Sequence, residues 1–247
     1  MGYIKSDIRR LCKSRAWYIG IAGVVFALFF AMEGRGFENG SLLFHYVFVT
    51  HLSGIMITFI FCAAPFATVF CEDLEQQYIR CAVIRGNFKK YVCSKCAVIY
   101  ASSVITMLCG TLFYLLICRT QVPWIRGMED ISGTATGCYS TLAENGHYLG
   151  YCMMYALHLG MLSGVFSLMA AFASIYISNR VLILILPALL YQVTMRININ
   201  GYSCYIFFAK NKIFEQDWMN FLFIFGLSAL LSVAAAAGIY KKLKKRV

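Results

Sequence analysis

Residues 70–95, FCEDLEQQYIRCAVIRGNFKKYVCSK, decide how the rest of the chain is read. The stretch opens with Glu72, Asp73 and Glu75 and closes with Arg80, Arg85, Lys89, Lys90 and Lys95. That order suits a helix, because acids complement the positive N-terminal end of the helix dipole and bases the negative C-terminal end. Gly86-Asn87 interrupts it, so the spacing predicts two helical pieces over about 72–84 and 88–94. Apolar runs long enough to cross a bilayer lie on both sides. A helix between two membrane spans has no lipid-facing reason to carry this much charge. Its expected role is to touch a partner in the cytosol.

Outward from this stretch the composition is that of a membrane protein: 60% of 247 residues are hydrophobic and 13% are charged. The formal charge of +11 does not mark a nucleic-acid binder, because the bases sit at the ends of apolar runs. Of the 22 bases, 16 fall in the leader, the central element, the Ser178-Asn179-Arg180 turn and the tail; of the 11 acids, only Asp7, Glu72, Asp73 and Glu75 do. Placing these segments in the cytoplasm satisfies the positive-inside rule and puts both termini there. The first apolar run lacks a small-residue cleavage site and reads as a retained span rather than a signal peptide.

The expected fold is all-α: one polytopic transmembrane domain over 1–247 with six spans. Residues 1–15 carry five bases and one acid, with Tyr3, Ile4, Ile8, Leu11 and Cys12 on one face, which describes an interfacial helix. Spans one and two fill 16–70, the coupling element 71–95, spans three and four 96–177, spans five and six 178–240, and a basic tail 241–247. Within these bounds the spans are expected near 16–32, 43–70, 96–118, 148–177, 181–195 and 219–240. The fifth is short and holds Pro187. Gly160 and Gly164 form a GxxxG that permits close helix packing, here read as intramolecular.

Enzymatic signatures are missing. The sequence holds no GxxxxGK[ST], HExxH or GxSxG. The paired carboxylates at 72–75 belong to a contact surface rather than to acid–base chemistry. Cys93 and Cys96 form a lone CxxC with Cys71 and Cys81 nearby, but chance accounts for this among 11 cysteines, and no metal site is read from it. Few or no disulfides are expected; Cys118 and Cys138 are the one pair that could bridge on the outer side. His45, Thr50, His51 and Ser53 in the second span, with Ser163 and Ser167 in the fourth, could line a polar substrate path or serve helix–helix hydrogen bonding.

With the central stretch between spans two and three, the chain resembles the ABC-2 class of ATP-binding-cassette permease subunits. That family carries a pattern near E-x-x-G-T-[IL]-R after span two, then R-G-x-[ST]-[RK]-x-x-[YI] and S-K before span three. Here Glu75-Gln76-Gln77-Tyr78-Ile79-Arg80 stands for the first part, and Arg85-Gly86-Asn87-Phe88-Lys89-Lys90-Tyr91 with Ser94-Lys95 for the second. Gln77 and Tyr78 replace the usual Gly-Thr, and Phe88 a small hydroxyl residue.

The resemblance implies a non-catalytic permease of the bacterial plasma membrane that exports an amphipathic or hydrophobic molecule such as a peptide, antibiotic or lipid. ATP and Mg²⁺ would belong to a separate ATPase subunit; this chain would hold no cofactor and bind no nucleic acid. Its partners would be that ATPase, a second permease copy or paralogue, membrane lipid and the substrate. Glu72, Glu75, Gln76, Arg80, Arg85 and Lys89 are the expected ATPase-coupling residues. The alternatives are an intramembrane enzyme, or a non-transporting membrane immunity or partner protein. An intramembrane protease would need an EExxxR motif, which Glu72-Asp73 does not begin.

Overall fold

A computed structural model describes residues 2–31, 41–51, 53–79, 87–126, 137–199, 202–203, 209–210 and 212–245. Among the described residues, the regular structure is all helical apart from a two-residue antiparallel pairing of Asn198–Ile199 (β1) with Tyr202–Ser203 (β2). The helices are α1 Gly2–Lys13, α2 Arg15–Phe30, α3 Leu42–His51, α4 Met56–Ala63 and α5 Val69–Glu75, followed by α6 Phe88–Arg119, α7 Ser140–Glu144, α8 Tyr148–Ala173, α9 Arg180–Arg196 and α10 Asp217–Lys244.

Three of these, α6, α8 and α10, are long and apolar enough to cross a membrane, which marks the chain as a membrane protein. Counting each of two bent pairs as one span raises the number to five. Among the described residues, length and composition therefore support three to five spans. The expected fifth span, α9, has 17 residues and Pro187 within it. The expected second span is broken. Helices α3 and α4 meet at 82° across the turn Ser53–Ile55. Gly54 lies so close to Ala31 that a Cβ there would sit 2.9 Å from the alanine's own. Carbonyls at the break find donors: the Lys210 ammonium donates to His51 O at 3.3 Å and Thr58 to Ile55 O at 2.6 Å. Helix α1 turns 59° from α2.

Helix α8 is the hub. In its apolar window 78% of residues are buried, against 17% for α10. Its close partner is α6, and small residues make that approach possible. A Cβ on Gly164 would fall 2.6 Å from the Tyr100 ring, and one on Gly160 would fall 3.4 Å from the Val104 backbone, so the GxxxG packs within the chain. On its other side α6 meets α2 through Gly110, where a Cβ would sit 2.5 Å from a Val24 methyl. Hydroxyls cross these seams: Ser103 donates to Ser167 Oγ at 2.8 Å, and Trp17 donates to Thr106 Oγ1 at 3.1 Å.

Both chain ends reach the same end of the bundle. Leu11 of α1 and Leu243 of α10 share a buried cluster with Phe70, Tyr91 and Ile99. Helices α6 and α9 both begin there, each at an asparagine N-cap. Asn87 accepts from the amides of Lys89 and Lys90, and Asn179 from those of Val181 and Leu182. The piece expected over 88–94 is therefore no separate helix but the first turns of α6. The nine described cysteines form no disulfide, Cys118 and Cys138 included, and both of these are buried.

Gly110→Leu is expected to cost about 1–3 kcal/mol, because the added side chain must displace Val24. Gly226, which has nothing within 4 Å of its would-be Cβ, is the internal reference. Thermal midpoints in detergent should fall for Gly110→Leu and stay near wild type for Gly226→Ala.

Candidate functional site at the basic end of the bundle

The central charged stretch meets the leader helix here, around a buried lysine. Lys95, 2% exposed, lies one turn beyond Tyr91 on α6. Its ammonium is 3.1 Å from Asp7 Oδ1 of α1 and 3.3 Å from Asp73 Oδ2 of α5. Both acids are buried, at 7% and 1% exposed. Each acid also accepts a hydroxyl donor, Asp73 on the oxygen that faces Lys95 and Asp7 on its other oxygen. The Tyr91 hydroxyl donates to Asp73 Oδ2 at 2.6 Å, and the Ser94 hydroxyl donates to Asp7 Oδ2 at 2.8 Å. The rings of Phe66 and Tyr91 face the ammonium at 5.9 and 5.8 Å.

Arginines surround this centre. Arg10 of α1 reaches Glu72 Oε2 at 3.1 Å and Asp73 Oδ1 at 3.6 Å, and Thr68 donates to the other Glu72 oxygen at 3.0 Å. Arg180, opening α9, donates to Glu75 Oε2 at 3.0 Å, and the Cys71 thiol to Glu75 Oε1 at 3.3 Å. These contacts hold the Glu75 carboxyl below its ordinary value, the Arg180 bond contributing most, and raise the Arg180 guanidinium above its own. A cleft of about 240 Å³ runs beneath, lined by Arg10, Ser14, Phe66, Thr68, Glu72 and Arg180. Four helices are thus tied at one end by charge: α1, α5, α6 and α9.

Of the expected coupling residues, Glu72 and Glu75 are each paired with an arginine of this same chain. Gln76 and Lys89 are exposed. Arg80 and Arg85 lie outside the described residues, as does the expected helix beyond Ile79. Helix α5 stops at Glu75 because Gln77 takes a left-handed backbone at φ 53°, a conformation glycine adopts most easily. Counted back from Arg80, the glycine of the resembled pattern falls at Gln77 and its glutamate at Leu74, one place before Glu75.

The polar residues expected along a path take up separate positions. His45 and Thr50 are buried on α3, while His51 is exposed, with its Nδ1 2.7 Å from Val47 O. Ser163 bonds to Gly160 O at 2.9 Å and Ser167 pairs with Ser103, both inside the seam around α8. Ser53 opens the turn between α3 and α4; its side chain lies outside the described residues.

Composition alone did not bring out Asp7, Arg10, Tyr91, Ser94, Lys95 and Arg180 as a set. One signal was present. Tyr3, Asp7 and Leu11 are spaced four apart, so the leader's single acid lies on an apolar stripe, where an unpaired charge is costly. No protein-family model matches the chain, and neither a curated protein nor a solved structure matches it.

Removing Lys95 leaves two buried carboxylates facing each other. Lys95→Met is expected to cost about 3–5 kcal/mol. The triple variant Asp7→Asn, Asp73→Asn, Lys95→Met should recover most of that loss, read as thermal midpoints. The Glu75–Arg180 pair has an acid sign: a lowered carboxyl stabilises above its unfolded value and loses that effect as pH falls through its folded one. The gap in midpoint between wild type and Glu75→Gln should therefore be open at neutral pH and close below the ordinary value of 4.5.

Proposed function

We propose that this chain is the non-catalytic permease subunit of an ATP-binding-cassette exporter, with the α5 element seated on a separate ATPase. One observation carries the reading. The stretch from Val69 to Ile79 is short, its acids are tied to α1, α6 and α9, and Gln76, Gln77 and Tyr78 remain exposed at its tip. A load applied at that tip would be delivered to three helices at once, as a movement of packed elements rather than as covalent chemistry. The left-handed Gln77, standing where the resembled family has glycine, supports the same reading.

On this reading Glu72 and Glu75 stiffen the element through their arginines, while Gln76, Tyr78, Lys89, Arg80 and Arg85 meet the ATPase. ATP and Mg²⁺ belong to that partner. Helices α2 and α9 complete a set of six spans at about 24 and 26 Å, short against a hydrocarbon core of about 30 Å. Both termini face the cytoplasm of a bacterial plasma membrane, and a second permease copy or paralogue forms the other half of an export route for an amphipathic or hydrophobic substrate. His45, Thr50, His51, Ser53, Ser163 and Ser167 remain the proposed polar positions along it.

The test is purification of the tagged protein in mild detergent, with mass spectrometry and an ATPase assay. An ATPase subunit should accompany it and be lost when residues 72–90 are replaced. A homogeneous protein with no ATPase would overturn the assignment. Reversing charge at Glu75 and Arg80 together should abolish stimulated ATPase activity while membrane insertion persists. If Glu75 acts through Arg180, the swap Glu75→Arg with Arg180→Glu should retain that activity.

A further inference from the structure

The outer side of α1 does not pack against the bundle as its inner side does. Tyr3, Asp7 and Leu11 turn inward, whereas Ile4 and Ile8 are 54% and 48% exposed. Beside them runs a groove of about 790 Å³, within the range of about 300–1,000 Å³ typical of ligand sites. Its far wall is one stripe of α6, Lys90, Cys93, Ser94 and Ala97, spaced as residues on a single helix face. Its near wall is Tyr3, Ile4, Lys5 and Ile8. Among the described residues, the two ionisable amines lining it are Lys5 and Lys90, and no carboxylate residue lines it. The nearest acid of the site, Asp7, is turned away and held by Lys95 and Ser94.

We propose that this groove between α1 and the start of α6 binds a phospholipid with an anionic head group. Lys5 and Lys90 take the phosphate, and an acyl chain lies along Ile4, Ile8 and Ala97. The occupant follows from three features together. The described walls are apolar with Lys5 and Lys90 as their charges, which suits an anionic amphiphile. The groove lies along an amphipathic helix at one end of a membrane-crossing bundle, the level at which lipid head groups sit. A second copy of the chain fits poorly, because a protein of formal charge +11 would bring its own bases against the same lysines. The lipid would also brace the ion cluster, since Ser94 lines the groove and bonds to Asp7. This proposal does not depend on the chain being a transporter subunit.

Cys93 supplies a probe, being exposed and part of the groove wall, while the exposed Cys12 lies outside it. The full chain is reconstituted in vesicles of phosphatidylcholine, with or without phosphatidylglycerol. Alkylation of each cysteine by N-ethylmaleimide is then followed by peptide mass spectrometry. Phosphatidylglycerol should slow Cys93 several-fold relative to Cys12, and inorganic phosphate added to phosphatidylcholine vesicles should not. Each lysine removed should weaken binding about five-fold, so Lys5→Gln with Lys90→Gln should lift the protection and Lys245→Gln should leave it. Equal Cys93 rates in the two lipids, or protection that survives the double lysine variant, would overturn the proposal. So would protection by free phosphate, or protection in phosphatidylcholine that grows with protein density, the mark of a second copy.

Discussion

A lysine ammonium placed between two carboxylates, out of contact with water, governs how this chain is put together. Taking an ion out of water costs several kcal/mol even after relaxation, and a pair repays that only with good geometry and every lone pair engaged. Lys95 has two acids within 3.3 Å, a tyrosine hydroxyl donating to the same Asp73 oxygen, a serine hydroxyl on the other Asp7 oxygen, and two aromatic faces around it. Two negative charges against one positive would leave an excess, and Arg10 compensates by approaching Asp73 from outside. Helices α1, α5 and α6 can each satisfy their buried charge only in one mutual placement. Arg180 and Glu75 extend the arrangement to α9 at the surface, where water screens the pair and its contribution is small.

The middle of the bundle follows a different logic. There the helices have no strong polar partners to specify their approach, and proximity comes from small residues and short hydroxyl bonds. Gly23 and Gly110 let α2 close on its neighbours, Gly160 and Gly164 let α8 close on α6, and Ser103 joins Ser167 across the interface. The result is a chain whose polar end is specified by charge and whose apolar centre is specified by shape.

Much of this was legible in the residues and some of it was not. Apolar runs of about 20 residues located α6, α8 and α10, because a bilayer-crossing helix announces itself by length alone. The break between α3 and α4 was hidden. Ser53 and Gly54 sit inside an otherwise apolar run, and only the proximity of Ala31 gives that glycine its purpose. The end of α5 was hidden too, since Gln77 takes a left-handed backbone without being glycine. The charges at 72–75 and 89–95 were visible as a group, but periodicity describes a helix face and not what faces it. Asp7 lies far along the chain from Lys95, and no local pattern links the two.

That distance has a consequence for biosynthesis. Ser94 and Asp7 are 87 residues apart, and Lys95 follows next. At roughly 5–20 residues per second, the leader helix leaves the ribosome on the order of ten seconds before its partners exist. For that interval Asp7 must stay in water, at no cost, while the apolar side chains of α1 hold it at the bilayer surface. Helix α1 is thus made well before α6, and its contact with Lys95 can close only once α6 has followed.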